Sequence, residues 1–502
     1  MLALGFLLAA IAPQEPVRPP NIVVVLADDL GYGDITVNNP ESRIPTPNVE
    51  RLAASGLRFT DAHSPDAVCT PTRYGILTGR YAWRTWLKRN VVGGYTPPLI
   101  ETDRPTLPRT LQDAGYRTGC FGKWHLGLGW TRANGFVGTA ANAQQNFRGT
   151  WQDGKPEDGM NVDFRKPIQG GPVALGFDTA FFSAACPTID GPFTYIRDDR
   201  VTVIPDHMIR VNRDAGPDLF PRPGWIAPGF VLEDVDPTFT KEAMAFVERS
   251  VANDPAKPFF VYLALSAPHA PWLPPTFAQG RSEEGPRGDL VWLADWCLGQ
   301  VMDTLERLGV ADDTLVVFTS DNGPRHGAGE HRSAGTLRGY KSHIWEGGHR
   351  VPFVARWPGH VPSGGTSDEP IELTDLYATC AALAGAELPD RAAPDSYDVS
   401  SALLGSRAAD APPIREAVVS HSMHGVFAIR QGGFKLIEGT KTSGGWVEPA
   451  GRPAEPGAPG QLYDLSADLA EQRDLYEERP EVVARLLALL DRYREQGFSV
   501  SR

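Results

Sequence analysis

The sequence has few cysteines and fewer basic than acidic residues, and each shortage excludes a class of protein. Five cysteines in 502 residues, all widely spaced, form neither a Cys-x-x-Cys metal pair nor a disulfide-rich scaffold, and their odd number leaves at least one thiol unpaired within the chain. The net charge of −13 excludes broad nucleic-acid binding through a basic surface. A locally basic pocket for a small anion is still compatible with this charge.

Long hydrophobic runs are also missing. No stretch approaches the roughly 18 continuous apolar residues that a membrane helix requires, so we expect no membrane span. The shorter apolar run at residues 2–12, with Ala10 and Ala12 before a candidate cleavage point, predicts a secretory signal peptide. No basic residue stands before this run and Pro13 follows it, so the alternative is a buried first strand. Residues 1–20 are therefore interpreted as signal peptide and linker, and we expect an exported protein, either periplasmic or extracellular.

What the sequence does contain is an alternation of short apolar runs with amphipathic segments. The apolar runs have the length and composition of strands buried on both faces, as in a parallel sheet; they lie at residues 22–26, 117–121, 259–265 and 315–319. Helical patterns lie at residues 46–56, 106–115, 239–251 and 290–308. This alternation predicts an α/β sandwich.

Two changes in composition divide the chain further. Residues 130–235 are rich in Gly, Pro, Asn and aromatic residues with weak periodicity, which indicates long insertions over the mouth of the sheet. After residue 400, three short strands are predicted at 417–421, 426–430 and 434–438, and an amphipathic helix at 481–496. We therefore expect a catalytic domain over 21–400 and a C-terminal subdomain over 401–502.

Polar clusters follow four of the predicted buried strands. They are Asp28-Asp29, the segment 122–125, the segment 266–269 and the segment 320–323. In an open α/β sheet the carboxyl ends of the strands form the ligand site, so the four clusters can converge. Asp28, Asp29, Asp321 and Asn322 offer hard oxygen ligands, which select Ca²⁺ or Mg²⁺ over zinc. Each pair alone could equally be a helix cap or a turn.

The segment from Cys69 to Arg80 predicts a helix with a reactive start. Pro71 suits the first helical turn and Gly79 suits the C-terminal stop. Cys69 is then placed at the helix N-terminus, where free N–H groups favour an anion, and Arg73 lies one turn later on the same face. This arrangement fits an oxyanion held beside a nucleophile, although a buried structural cysteine with a surface arginine is the ordinary alternative.

These motifs together resemble the type I sulfatases of the alkaline phosphatase superfamily. The resemblance begins with Cys-x-Pro-x-Arg followed by Thr-Gly-Arg, and it covers most of residues 20–490. The other motifs follow in the family's order: Asp28-Asp29, Lys123 and His125, His269, Asp321-Asn322 and finally Lys341. It implies an alkaline-phosphatase-like α/β fold with a large, mixed or mostly parallel sheet sandwiched by helices, and a smaller C-terminal α+β subdomain.

The resemblance also implies a set of site residues and a modified cysteine. Cys69 is the residue oxidised to Cα-formylglycine by a maturation enzyme, which makes it the odd thiol and leaves the pairing of the other four cysteines open. The implied catalytic residues are Cys69, Arg73, Lys123, His125, His269 and Lys341. The implied metal ligands are Asp28, Asp29, Cys69, Asp321 and Asn322, with Ca²⁺ favoured over Mg²⁺.

In the implied mechanism, the hydrated aldehyde at position 69 attacks sulfur with Asp321 as base. His269 protonates the leaving alcohol beside Lys341, and His125 deprotonates the second hydroxyl, which then expels sulfate. Arg73 and Lys123 orient and stabilise the groups around the metal.

Several segments resemble N-acetylgalactosamine- or galactose-6-sulfatases in particular, so a 6-O-sulfated glycan is the expected substrate. Asp190, Asp206 and His207, in the variable region, are the candidate sugar-binding residues. The alternatives are a broad arylsulfatase, a related phosphoesterase with the same metal site, and an exported glycan-binding protein with a relic site.

Overall fold

A computed structural model describes residues 18–141, 161–209, 222–326, 331–408, 410–446 and 457–500. The predicted signal peptide, at residues 1–12, lies outside the described residues. Among those that are described, no helix is both long enough and apolar enough to cross a lipid bilayer.

A ten-stranded mixed sheet forms the centre of the molecule. Its strands, in spatial order, are β13 (Gly365–Ser367), β2 (Leu57–Phe59), β12 (Phe353–Arg356), β11 (Thr314–Ser320), β1 (Asn21–Ala27), β10 (Phe259–Ala264), β4 (Arg117–Lys123), β5 (Thr179–Ser183), β6 (Ile196–Arg197) and β7 (Arg200–Val201). The central strands β11, β1, β10, β4 and β5 are parallel, whereas β12, β6 and β7 pair antiparallel with their neighbours. This confirms the predicted α/β fold with a mostly parallel sheet.

Helices cover both faces of this sheet. The α-helices of the described residues are α1 (Pro47–Ala54), α2 (Cys69–Thr78), α3 (Leu107–Asp113), α4 (Val235–Asn253), α5 (Gly285–Arg307), α6 (Glu346–His349), α7 (Leu376–Leu383), α8 (Ser400–Leu403) and α9 (Pro480–Gln496), of which α9 packs against the C-terminal sheet instead. The seven residues of β1 are all buried, and they alternate between two hydrophobic cores. Ile22, Val24 and Leu26 enter the core on one face, while Val23 and Val25 enter the core on the other. Burial on both faces explains the continuous apolar run of this strand.

The main difference from the sequence prediction lies within residues 130–235. Strand β5 in this segment pairs in parallel with β4, and β6 and β7 extend the sheet beyond it. A segment interpreted only as insertions over the sheet therefore contributes strands to the sheet itself. Its apolar run is only five residues long, so the surrounding Gly- and Pro-rich composition masked it.

Two small sheets complete the described elements before the C-terminal part. They pair β3 (Ala62–His63) with β14 (Ile371–Glu372), and β8 (His207–Ile209) with β9 (Gly224–Ile226). Helix α5 begins at Gly285, five residues before the predicted start. Pro286 lies in its first turn, where a missing N–H costs nothing, and this start signal was overlooked.

The C-terminal part folds as a separate antiparallel sheet with the helix α9 packed against it. Its strands are β15 (Val418–His421), β16 (Phe427–Gln431), β17 (Phe434–Ile437) and β18 (Gln461–Asp464). Three strands were predicted here, and β18 adds a fourth. Leu486 and Leu490 of α9 pack with Val419 and Ile429 in one hydrophobic cluster, which is the amphipathic packing that the sequence pattern predicts.

All five cysteines are buried free thiols. The sequence left the pairing of the four cysteines other than Cys69 open, and the structure pairs none of them. The fold is therefore held by its two large cores rather than by covalent crosslinks.

A buried charge network joins helix α6 to the C-terminal part. Lys435 on β17 places Nζ 3.0 Å from Glu346 Oε1 and 2.9 Å from Glu471 Oε1, and all three side chains are buried. His63, Glu346 and His349 also offer ligand atoms within 4.8 Å of one another. Because Lys435 already offsets the charge of Glu346, we interpret this cluster as structural rather than as a metal site.

The Lys435→Met substitution should strongly destabilise the protein, because it leaves buried carboxylates without their cation. Losing one partner of a buried ion pair costs about 3–5 kcal/mol. The matched control is Lys441→Met, which removes an exposed pair with Asp474 and should cost less than about 1 kcal/mol. Urea unfolding followed by fluorescence measures both variants, and equal midpoints for the two would contradict a structural role for this network.

Candidate functional site

The predicted polar clusters meet at the carboxyl ends of adjacent parallel strands. Asp28 directly follows β1, Lys123 ends β4, and Asp321 directly follows β11. His269 lies in the loop after β10, which is the strand between β1 and β4. Because these strands run in the same direction, their polar ends share one edge of the sheet.

Cys69 lies at the centre of this edge, as the first residue of the fully buried helix α2. Its thiol donates to Asp28 Oδ1 at 3.3 Å, and Lys341 Nζ lies 3.4 Å from Sγ. The preceding Val68 is extended, and Gly79 at the other end has a left-handed φ of 58°. The helix therefore starts and stops where Pro71 and Gly79 indicated, and it holds position 69 between an anion and a cation.

Arg73 is buried one turn into α2, but its guanidinium is largely occupied by protein groups. Nε and Nη2 donate to Asp321 Oδ2 at 2.9 and 2.7 Å, and Nη1 donates to the Lys123 carbonyl at 2.8 Å. The sequence predicted an arginine facing an oxyanion. The structure shows an arginine that fixes the orientation of Asp321 and the backbone at the end of β4.

Asp28 and Asp29 each pair with a lysine. Lys123 Nζ forms a salt bridge with Asp28 Oδ2, and Lys341 Nζ lies 2.6 Å from Asp29 Oδ1. Asn322 Nδ2 donates to the same Asp29 oxygen at 2.7 Å. Asp29 holds a left-handed φ of 66°, which a non-glycine residue adopts only under the constraint of its surroundings. Together, these contacts bring Asp28 and Asp29 close to Asp321 and Asn322.

Two buried oxygens of this cluster have no hydrogen-bond partner among the described residues. They are Asp29 Oδ2 and Asn322 Oδ1. Asp28, Asp29, Cys69 and His269 also offer ligand atoms that all lie within 4.8 Å of one another. Unsatisfied oxygens among several carboxylates are the donor set that a hard divalent cation requires. The residues present therefore fit a Ca²⁺ or Mg²⁺ ion.

The protein's own cations favour the charged form of Asp28 but not that of Asp321. Burial raises the pKa of Asp28, but the charges of Lys123, His269 and Arg73 outweigh it and hold that pKa well below its usual range. The pKa of Asp321 is raised, first by burial and then by the negative charge of Asp28. Carboxylates in such close contact repel one another unless a cation offsets their charge.

Two histidines face this site. His125 is buried with a left-handed φ of 56°, and neither of its ring nitrogens has a hydrogen-bond partner among the described residues. His269 contacts the Ala270 carbonyl through Nδ1, and its Nε2 lies 3.8 Å from Asp29 Oδ2. Burial, with the charge of Lys341, lowers the pKa of His269 to about 3. Burial, with the charge of Lys123, also holds the pKa of His125 well below its usual range.

A cavity of about 420 Å³, here called the catalytic cavity, opens onto Cys69. Five of the sequence-predicted residues line it, namely Cys69, His125, Asp190, His269 and Lys341. Asp206 and His207 do not. They form an exposed pair at the start of β8, with His207 Nδ1 2.6 Å from Asp206 Oδ1.

The sequence analysis missed several residues of the wall of the catalytic cavity. They are Val68, Asn90, Val91, Cys186, Ile189, Arg222, Met423, His424 and Trp446. Arg222 donates to Asp190 Oδ1 at 2.7 Å, and Cys186 Sγ lies 3.5 Å from His269 Nδ1. Met423, His424 and Trp446 belong to loops of the C-terminal part. No local pattern marks them, because only tertiary packing brings them to the cavity.

Comparison with known proteins is consistent with this geometry. A family model described as "Sulfatase" matches residues 20–386. An N-acetylgalactosamine-6-O-sulfatase of Bacteroides thetaiotaomicron is 32% identical over 94% of this chain and 93% of its own length. Arylsulfatase A of Homo sapiens is 34% identical over 94% of this chain and 86% of its own length. A solved structure from work on glycosaminoglycan metabolism by Bacteroides thetaiotaomicron has a TM-score of 0.79 at 30% identity, over 95% of this chain and all of that one.

Added Ca²⁺ should stabilise the metal-depleted protein, because the ion binds only the folded arrangement of carboxylates. At a concentration one hundred times Kd the expected gain is about 2.7 kcal/mol, visible as a rise in the thermal unfolding midpoint. Asp29→Asn should remove most of that rise, whereas the exposed Asp206→Asn should retain it. Calorimetric titration gives the affinities directly, and equal Ca²⁺ affinity in the two variants would contradict the metal assignment.

Proposed function

The chain belongs to the sulfatase family and is a sulfuric ester hydrolase, and from this premise we propose that it removes 6-O-sulfate from galactose or N-acetylgalactosamine units of sulfated glycans. The observation that carries the proposal is the position of Cys69 on the floor of a sugar-sized cavity, between Asp28 and Lys341. The similarity to an N-acetylgalactosamine-6-O-sulfatase supports the choice of sugar and of position.

Cys69 is the residue that we propose is converted to formylglycine by a maturation enzyme. In its hydrated form this group supplies two hydroxyls, one for attack on sulfur and one whose deprotonation releases sulfate. A divalent cation, most simply Ca²⁺, would be held by Asp28, Asp29, Asp321 and Asn322 and would supply charge to offset the sulfate oxygens.

The residues around position 69 divide the proton transfers between them. Asp321 accepts the first proton, and Arg73 keeps its carboxylate oriented through two hydrogen bonds. His125, whose ring nitrogens have no other described partner, accepts the proton that allows sulfate to leave.

The leaving alcohol requires an acid, and His269 is the candidate. Burial lowers its pKa to about 3 in the unliganded protein. The negative charge of a bound sulfate ester opposes that shift, because it favours the imidazolium. Lys341, which faces Cys69, adds a permanent positive charge on the same side. Lys123 pairs with Asp28 and stabilises the side of the site that faces the metal.

Asp190 is the sugar-binding residue that we retain from the sequence. It lines the catalytic cavity and is oriented by Arg222, so its second carboxylate oxygen is available to a sugar hydroxyl. Asp206 and His207 have no part in this proposal, because they lie outside the cavity.

The second candidate function is a broad arylsulfatase. It is favoured by the 34% identity to arylsulfatase A of Homo sapiens. For either function we also propose export, on the strength of the signal-like run at residues 2–12.

Replacing Cys69 with Ala should abolish hydrolysis of sulfate esters. The expected loss in kcat is about 10³-fold or more, because the covalent route disappears. Cys380→Ala, a matched change of a buried core thiol, should leave kcat unchanged. Mass spectrometry of the peptide that contains position 69, from protein made in its native host, should show an aldehyde in place of the thiol. Full activity in Cys69→Ala would refute the covalent mechanism.

A substrate panel distinguishes the two candidate functions. We expect 6-O-sulfated N-acetylgalactosamine or galactose to be cleaved with a kcat/KM at least about tenfold above that of the 4-O-sulfated isomers. A sulfate and a phosphate ester of one leaving group should show a preference for sulfate. Turnover restricted to simple aryl sulfates would contradict the glycan assignment and favour the arylsulfatase.

A further inference from the structure

A second cavity, of about 520 Å³, lies beside the catalytic cavity, and its lining is strongly basic. Four of its residues are cationic and none is a carboxylate. The lining residues are Arg80, Trp83, Arg84, Lys88, His421, Gly425, Phe427, Arg494 and Gly497. In a chain whose net charge is −13, such a concentration of positive charge is a local exception.

Two chain segments contribute lining residues to both cavities. In the segment around residue 90, Lys88 lines the second cavity and Asn90 lines the catalytic cavity. In the segment around residue 424, Gly425 lines the second cavity and His424 lines the catalytic cavity. The backbone N–H of Asn90 donates to the Met423 carbonyl at 2.9 Å and joins the two segments. This hydrogen bond therefore links two segments that each contribute lining residues to both cavities.

Two of the four cations, Arg84 and Arg494, are paired with carboxylates and form part of the cavity wall. Arg84 Nη2 lies 2.8 Å from Asp395 Oδ1, and Arg494 Nη1 lies 3.0 Å from Glu438 Oε1. Each guanidinium also lies 4.2 Å from the centroid of an aromatic ring of the cavity. The salt bridges and ring contacts therefore hold both guanidiniums in place at the cavity wall.

The other two cations, Arg80 and Lys88, form no salt bridge with any described carboxylate. Lys88 Nζ donates to the Trp83 carbonyl at 2.7 Å, and Arg80 Nη1 donates to the Tyr74 hydroxyl at 2.9 Å. Partial burial, with the charges of Arg80 and Arg84, lowers the pKa of Lys88. An anion in this cavity would relieve the repulsion among these cations.

We propose that the second cavity binds an anionic sugar unit of the same glycan whose sulfated unit occupies the catalytic cavity. The inference rests on the proposed function and extends it to a polyanionic oligosaccharide. Both cavities have the size of small-molecule sites, and the same two hydrogen-bonded chain segments contribute to the lining of each. Either a sulfate half-ester or a uronic carboxylate supplies the charge that Lys88 and Arg80 would recognise.

The test compares two substrates in variants of Lys88, which does not line the catalytic cavity. The first substrate is 6-O-sulfated N-acetylgalactosamine, and the second is a tetrasaccharide in which this sugar alternates with uronic acid. Lys88→Gln removes the charge, and Lys88→Arg retains it. The matched control is Lys257→Gln, at an exposed lysine before β10 that lines neither cavity.

For Lys88→Gln we expect KM for the tetrasaccharide to rise roughly tenfold, the loss expected for one charge-assisted hydrogen bond. Values for the monosaccharide should be unchanged, and Lys88→Arg and Lys257→Gln should behave like the native enzyme. A tetrasaccharide from which sulfate has been removed tells the two sources of charge apart, because binding that still depends on Lys88 identifies the carboxylate. An unchanged tetrasaccharide KM, or an equal rise for both substrates, would overturn the inference.

Failure of the proposed function can be distinguished from failure of this inference. If the native enzyme hydrolyses neither glycan, calorimetric binding of the tetrasaccharide to the Cys69→Ala protein decides the second cavity independently of turnover. A dissociation constant that rises when Lys88→Gln is added supports the cavity assignment. An unchanged dissociation constant would contradict the assignment of the second cavity.

Discussion

The arrangement around position 69 depends on a balance between buried carboxylates and buried cations. Asp28, Asp29 and Asp321 are completely removed from solvent, and they repel one another in a medium that screens little. Lys123, Lys341 and Arg73 offset that repulsion in part, each through a direct contact with one of the carboxylates. Asp29 Oδ2 and Asn322 Oδ1 have no hydrogen-bond partner among the described residues, so the protein's own cations and donors do not satisfy every oxygen of the site.

The fold makes this balance possible by its parallel strands. β11, β1, β10 and β4 are consecutive neighbours in the sheet, so residues far apart in sequence, from Asp28 to Asp321, end at one edge. Their stems are apolar and buried on both faces, which fixes the strand ends rigidly. A site of mutually repelling groups needs such a scaffold, because a looser one would relax and separate the charges.

Much of this could be predicted from the sequence, for physical reasons. A strand buried on both faces is continuously apolar, so β1 and β11 were recognisable, and the polar pairs after them had to meet at the ligand edge. The start of α2 was equally visible, since Pro71 and Gly79 are local signals. The contact between Arg73 and Asp321 could not be predicted, because the two residues lie 248 positions apart and no local pattern reports such a contact.

Strand β5 and the walls of the catalytic cavity could be recognised only in the tertiary structure. Strand β5 has only five residues in a glycine-rich context and joins the sheet because β4 offers it an edge. The walls of the catalytic cavity combine loops from distant parts of the chain. Of the three residues predicted to bind sugar, Asp190 lines this cavity and Asp206 and His207 do not, which shows how little proximity along the chain says about a cavity.

The catalytic cavity draws its reactive floor and its outer wall from different parts of the polypeptide. The floor comes from the ends of the central strands, whereas Met423, His424 and Trp446 come from loops of the C-terminal sheet. Substitutions in those loops can reshape the entrance while the charged floor stays intact. Over evolutionary time, drift in these loops offers related chains one route to a different cavity shape, with the chemistry inherited unaltered.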